Sequence, residues 1–305
     1  MENNLINWLK LCNVFGLGPK KLMKLFEFFG SIDAIYSASD AELLRTKTFR
    51  ENMLIEWNKL KNAQSEKYEE IIEVCKKENI MIVPLFSEKY PSTLKFISNP
   101  PKNLFLRGNV DLLYTKKVAI VGSRSSDENS KSWAYNLSKE LAKKEITIIS
   151  GGAEGIDYAA HKATLDVNGK TICVFGTGLL RYYPEGHREL YDEISKKGLL
   201  VSEHLPHFSG GRIALLNRNR ITSALSNALV QVTSDTTGGS ATQIKIALEQ
   251  KIPVFCPKRE FNFRPFEGII EEMKNNKMIE IESVEPLLKL LENHSHEKQK
   301  KISDA

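Results

Sequence analysis

The chain has 305 residues, 41% hydrophobic and 27% charged, with a formal net charge of +5. That is an ordinary globular composition, with length for one large α/β domain and a small accessory one, and it shows no internal repeat or low-complexity segment. The mild positive charge suits a polyanionic partner without demonstrating one. No apolar run approaches the roughly 18 residues that a membrane span needs. The opening MENNLINWLK is too polar for a signal peptide, so no membrane partner is expected. Cys12, Cys75, Cys173 and Cys256 are scattered without a CxxC pair. They are expected to be reduced thiols of a cytoplasmic protein, neither disulfides nor a zinc site.

Residues 1–65 are expected to form a small helical domain. Leu5, Trp8, Leu9 and Val14 fall at helical spacing, and Gly16-Leu17-Gly18-Pro19 separates them from a lysine-rich helix (Lys20, Lys21, Lys24). The GxG turn has the look of a helix-hairpin-helix element whose amides accept a DNA phosphate. The competing reading is a plain helical bundle with a tight turn and a solvated lysine face. Ser39-Asp-Ala-Glu42 fits a capping box and starts another helix.

The remainder, 66–291, is expected to be one domain. A helix over 68–77 leads to a strand over 80–84, and Tyr90-Pro91 and Asn99-Pro100-Pro101 then stiffen an extended stretch through Gly108. Strands follow at 118–121, 146–149, 171–175, 199–202, 228–233 and 252–256, mostly with helical patterns between them. Alternation of this kind implies an extended Rossmann-like, mostly parallel sheet covered on both faces. Helices are expected over 267–274 and 284–291, and residues 292–305 are expected to be a charged, disordered tail.

The carboxyl ends of these strands carry the unusual residues. They are Gly122-Ser123-Arg124, Ser150-Gly151-Gly152-Ala153-Glu154-Gly155, Gly176-Thr177-Gly178, Ser202-Glu203 and Thr237-Gly238-Gly239-Ser240. In an open parallel sheet such ends line one crevice, and glycine lets backbone approach a ligand closely, so a phosphate-binding edge is expected. The first turn lacks the later glycines of G-x-G-x-x-G, which argues against a dinucleotide cofactor. Arg218, Asn219 and Arg220 in Asn217-Arg-Asn-Arg-Ile-Thr222 supply forked cations and an amide at a helix start, suited to phosphates and base edges. The competing reading pairs one of these arginines with an acid such as Glu203. Asp157 and His161, at i and i+4, have the spacing of an acid/base pair or half a metal site. A structural role is preferred: a carboxylate near a helix start and a hydrogen-bonded internal histidine. No catalytic residue, metal or cofactor is assigned.

At these residues the chain resembles the DprA/Smf DNA-processing family. The resemblance is carried by Pro100-Pro101 with LFLRGN (104–109), VAIVGSR (118–124), SGGAEGIDYAAH (150–161), GKTICVFGTGLLRYYPEGHREL (169–190), GLLVSEHLP (198–206) and LLNRNRITSALSNALVQV (215–232). It implies a homodimeric, non-catalytic single-stranded DNA-binding protein that protects incoming DNA and loads the RecA recombinase during natural transformation. By position, it implies a DNA site built from Gly122, Ser123, Arg124, Gly151, Gly152, Arg218, Asn219 and Arg220, with Gly239 and Ser240 at the fifth turn. Lys162, Lys170 and Arg181 are further basic candidates. Tyr182, Tyr183 and Phe208 are candidates for base stacking, with a core or turn role as the alternative. The chain departs from the family pattern at Gly238-Gly239-Ser240-Ala241-Thr242-Gln243 and Pro257-Lys258, and no winged-helix segment is expected after Leu291. An enzymatic alternative is a phosphoribohydrolase of the lysine-decarboxylase-like family. Its glycine motif is echoed at 238–242, but without the proline and with its acid, Glu249, too far along.

Overall fold

A computed structural model describes residues 2–275 and 278–293. The described chain forms two compact units, one reaching Leu106 and including Glu203–Pro206, the other comprising Arg107–Ser202 and the chain from His207 onward.

The first unit contains α1 (Glu2–Cys12), α2 (Pro19–Phe29), α3 (Ile32–Ser37), α4 (Asp40–Arg45), α5 (Glu51–Asn62), α6 (Glu66–Lys77) and α7 (Ser92–Lys95). Strand β1 (Met81–Pro84) pairs antiparallel with β2 (Asn103–Gly108), Met81 opposite Leu106 and Pro84 opposite Asn103. The predicted capping box is present: the Ser39 hydroxyl accepts from the Glu42 amide while the Glu42 carboxylate accepts from the Ser39 amide at 2.8 Å. Two lysines of this unit bond internally. Lys21 Nζ donates to the Gly16 carbonyl at 3.0 Å, and the buried Lys10 donates to the Ala63 carbonyl at 2.7 Å. Both satisfy carbonyls that helix and turn geometry leave open.

In the second unit, seven strands run parallel in the spatial order β6-β5-β4-β3-β7-β8-β9. They are β3 (Lys117–Val121), β4 (Thr147–Ser150), β5 (Thr171–Phe175), β6 (Leu199–Ser202), β7 (Ala228–Gln231), β8 (Val254–Pro257) and β9 (Ile279–Ile281). Every residue of β3 through β8 is buried, as strands covered on both faces require. The covering helices are α8 (Glu128–Lys143), α9 (Ile156–Asp166), α10 (Arg188–Lys197), α11 (Arg212–Asn217), α12 (Asn219–Leu225), α13 (Gly239–Glu249) and α14 (Glu267–Asn275). Residues 285–293 are also helical, so the helix expected over 284–291 is present and extends to the last described residue. The rest of the expected tail lies outside the described residues.

Strands added after β3 step to one side through β4, β5 and β6, and the chain then returns to the other side of β3 with β7. The order therefore reverses between β3 and β7, and a crevice opens at the carboxyl ends of strands flanking such a reversal. The first turn is fixed there by Asp127. Its Oδ1 accepts from the Ser130 amide at 2.7 Å, capping α8, and its Oδ2 accepts from the Arg264 amide. Replacing a cap of this kind removes the partner of a helix N-terminal amide. Asp127→Ala is expected to lower stability by about 1–2 kcal/mol in urea unfolding; an unchanged midpoint would contradict this account of the turn.

Candidate functional site

The crevice has a volume of about 660 Å³ and draws its walls from the ends of β3, β5 and β7, the second glycine turn and the starts of α11 and α13. Arg124, Arg212 and Arg218 line it, with Asp157 and Asp235 as the lining carboxylates. The described lining thus carries one more cation than anion.

The first turn is held rigidly. The Ser123 amide donates to Thr233 Oγ1 at 3.0 Å and the Ser123 hydroxyl donates to Asp235 at 2.9 Å. The Ser126 hydroxyl lies 2.6 Å from the Ser123 carbonyl and 2.7 Å from Thr233 Oγ1. Arg124 itself is exposed, so its guanidinium is presented on a fixed backbone.

The second turn is shaped by side chains arriving from elsewhere. A Cβ built on Gly151 would lie 1.9 Å from Arg218 Nη1, and one on Gly152 would lie 2.7 Å from the Tyr191 hydroxyl. The missing side chains at these two glycines are filled by protein, an arginine in one case and a tyrosine in the other. Gly239 differs, since its nearest such neighbour is Leu216 Cδ2 at 3.7 Å, and it is exposed beside the crevice. Backbone can be approached closely there, while at 151 and 152 the glycines serve packing.

Arg218 stands at the junction of α11 and α12, only 7% exposed. Its Nη1 faces the buried Asp157 carboxylate at 3.9 Å, and its Nε has no hydrogen-bond partner among the described residues. Burial pushes the Asp157 carboxyl above the usual range; Arg218 and the Ala153 amide, 3.4 Å away, oppose the shift. Arg218 thus places a nearly buried guanidinium on the crevice wall, with its Nε enclosed by protein.

Below the turn, His161 is fully enclosed, Nε2 at 2.7 Å from the Gly151 carbonyl and Nδ1 at 2.7 Å from Thr171 Oγ1. Burial drives its pKa down to about 4, the Gly151 carbonyl opposing this and Arg218 adding to it. The Cys173 thiol donates to the same carbonyl at 3.2 Å, and burial pushes that thiol up. Asp157 is thus a carboxylate near the start of α9 facing an arginine, and His161 an internal hydrogen-bonded imidazole.

The other expected site residues divide. Asn219 is buried and lines the crevice, its Nδ2 donating to the Gly239 carbonyl at 3.1 Å, and Ser240 lines it as well. Arg220 folds back, Nη1 donating to the Asn217 carbonyl at 2.8 Å, and is not among the lining residues. Lys162 pairs with Asp166 at 2.7 Å on the outer side of α9. Lys170 immediately precedes β5, at the end of the strand opposite the crevice. Arg181 is exposed in the loop after β5, its carbonyl accepting from Thr177 Oγ1 at 2.6 Å. Tyr183 lines the crevice, whereas Tyr182 donates to Asp192 at 2.7 Å and packs 5.2 Å from Tyr191, which is the core role. Phe208 is exposed and is not among the lining residues. Sequence reading missed Arg212, whose only signal is the Gly210-Gly211-Arg212 run ahead of a helical pattern, and Asp235. Among the described residues no group of three or more His, Cys, Asp or Glu side chains could hold a metal ion, and no helix is long and apolar enough to cross a membrane.

The enclosed histidine gives the site a pH signature. The unfolded chain binds that proton near the ordinary 6.5 and the folded chain only near 4, so the unfolded state holds more protons between those values and stability rises with pH across the window. The raised Asp157 acts in the opposite sense above its ordinary 3.8, so the test is a comparison with a variant that leaves Asp157 in place. Between pH 6.5 and 4, wild type is expected to lose up to about 3 kcal/mol relative to His161→Gln, measured by urea unfolding. Parallel pH profiles would contradict a neutral buried imidazole.

The family described as DNA recombination-mediator protein A matches residues 81–292. The DNA processing protein DprA of Bacillus subtilis (strain 168) is 34% identical over 199 residues, 65% of this chain and 67% of that protein. Protein Smf of Synechocystis sp. is 31% identical over 256 residues, 81% of this chain and 63% of the relative. The chain thus spans about two thirds of the length of these curated relatives. Among solved structures, DprA from Streptococcus pneumoniae superposes with a TM-score of 0.79 at 26% identity, covering 92% of this chain and 96% of that one. DprA from Helicobacter pylori, described for its single-stranded DNA binding mode, gives 0.63 at 28% identity, covering 71% of this chain and 98% of that one. With its α/β fold, its parallel sheet and the family match over most of its length, this chain belongs to the DNA recombination-mediator protein A family.

Proposed function

We propose that the chain binds single-stranded DNA in this crevice, as a homodimeric, non-catalytic DNA-processing protein of the cytoplasm. In this reading it protects incoming strands and loads the RecA recombinase onto them during transformation. The observation that carries the binding step is Arg218, a nearly buried guanidinium on the crevice wall with an unmet Nε donor. Phosphate is the anion that suits it, because Arg124 and Arg212 extend the positive lining and the open turn at Gly238-Gly239 lets backbone come close. The single-stranded DNA binding named for the Helicobacter pylori relative supports the same ligand. Arg124, Arg218, Asn219, Gly239 and Ser240 are the proposed contacts, with Gly122, Ser123, Gly151 and Gly152 shaping the turns that hold them. Arg220, Lys162, Lys170 and Arg181 would act only on a strand running beyond the crevice.

The test is oligo-dT affinity against a duplex of equal length across a salt series. Single strands are expected to bind more tightly, with a salt dependence of about −0.7 in log–log slope per phosphate neutralised. Arg124→Ala, which alters an exposed side chain, is expected to weaken oligo-dT roughly tenfold or more and to flatten the slope. Equal affinity for single strand and duplex, or an unaltered Arg124→Ala variant, would contradict the proposal. So would hydrolysis of AMP dependent on Glu249, which the phosphoribohydrolase alternative requires.

A further inference from the structure

Beyond the crevice, the second turn leads to another hollow. It is shallow, about 390 Å³, and bordered by Lys131, Glu154, Tyr158, Gly186 and His187. A small hollow of about 90 Å³ lies between, lined by Arg124, Gly152, Ala153 and Glu154 among others. It shares Arg124 with the crevice and Glu154 with the outer hollow, so the three are neighbours along the second turn.

The outer hollow carries a feature that the fold does not demand. On α9 the residues Ile156, Asp157, Ala160, His161, Ala163, Thr164 and Leu165 are buried, whereas Tyr158 is 39% exposed. Its ring lies 4.7 Å from the His187 ring at 45°. His187 is itself held in place, Nδ1 at 3.3 Å from the Gly152 carbonyl and its ring 6.0 Å from Tyr191. An exposed aromatic plate backed by a second, anchored ring is suited to receive a flat partner at little cost in side-chain entropy. Lys131 borders the hollow but pairs with Glu128 at 2.8 Å, and Glu154 sits between the two sites, so the carboxylates disfavour phosphate there. A base, which is uncharged, is the part of a strand that fits.

We infer that Tyr158, backed by His187, is a second nucleotide subsite, stacking a base of the strand after it leaves the crevice across the Gly152–Gly155 turn. This rests on the single-strand reading of the crevice. The contribution is stacking, so it adds affinity without adding salt dependence, and it requires a strand long enough to span both hollows.

The experiment compares oligo-dT of about four and about twelve nucleotides on wild type, Tyr158→Ala and Tyr158→Phe. Tyr158→Ala is expected to weaken the longer oligonucleotide roughly fivefold to a hundredfold, with the salt slope and the shorter oligonucleotide unchanged. Tyr158→Phe is expected to bind like wild type. A Tyr158→Ala protein that binds both lengths as wild type does, or loses both equally, overturns the subsite while leaving the crevice reading intact. A wild-type protein that binds neither length overturns both.

Discussion

One buried cation organises this end of the sheet. Arg218 lies where a side chain at residue 151 would be, faces Asp157 across 3.9 Å, and keeps one donor unmet. Taking a guanidinium and a carboxylate out of water costs several kcal/mol for each ion, and their attraction offsets that only when geometry is close and the remaining donors are satisfied. Neither condition holds here. The raised carboxyl of Asp157 has the same cause, since its partner is too distant to overcome burial. Arg218 is therefore a poorly compensated cation on the crevice wall, and the proposed phosphate site rests on it.

The neighbouring turns follow from that residue. Residue 151 must lack a side chain for Arg218 to fit, and its carbonyl is then fixed from beneath by His161 and Cys173. Residue 152 must lack one for Tyr191, whose hydroxyl lies 2.7 Å from the Gly152 carbonyl. At Gly155, φ is +80°, and a Cβ would meet the Ser123 carbonyl oxygen at 2.7 Å, so the second turn packs directly on the first. The crevice wall is therefore preorganised by internal hydrogen bonds, with Arg124 presented from it on a backbone that has little freedom to move.

Much of this was legible in the chain. Strands 171–175 and 199–202 fall where their apolar runs place them, and the first glycine turn follows β3 as expected, because a buried parallel strand is a short, nearly continuous apolar segment. The three-residue β9 escaped because Ile279-Glu-Ile281 is too short to show a period and exposes two of its residues. Composition at a turn does not tell what fills the space beside it. The glycines at 151 and 152 look like ligand-approach positions, yet they accommodate side chains from residues 218 and 191, distant in sequence. Asn217-Arg-Asn-Arg reads as one helix start, whereas α11 already begins at Arg212 and Arg218 keeps helical dihedrals (φ −57°, ψ −30°) where it meets α12; Arg218 is buried there, while Arg220 donates to the Asn217 carbonyl. Lys170 illustrates a different limit: a basic residue just before a parallel strand lies at the wrong end of it for the crevice, which strand direction alone would have revealed.

The most direct measurement follows the side chain on which the account depends. In ¹⁵N-labelled protein, the Arg218 Nε–H resonance, assigned by its loss in Arg218→Lys, reports on the donor that has no partner among the described residues. Titration with oligo-dT is expected to shift it saturably, with the same dissociation constant as that obtained from bulk binding. An Arg218 resonance that stays in place while oligo-dT binds would put the strand elsewhere on the molecule and contradict the account.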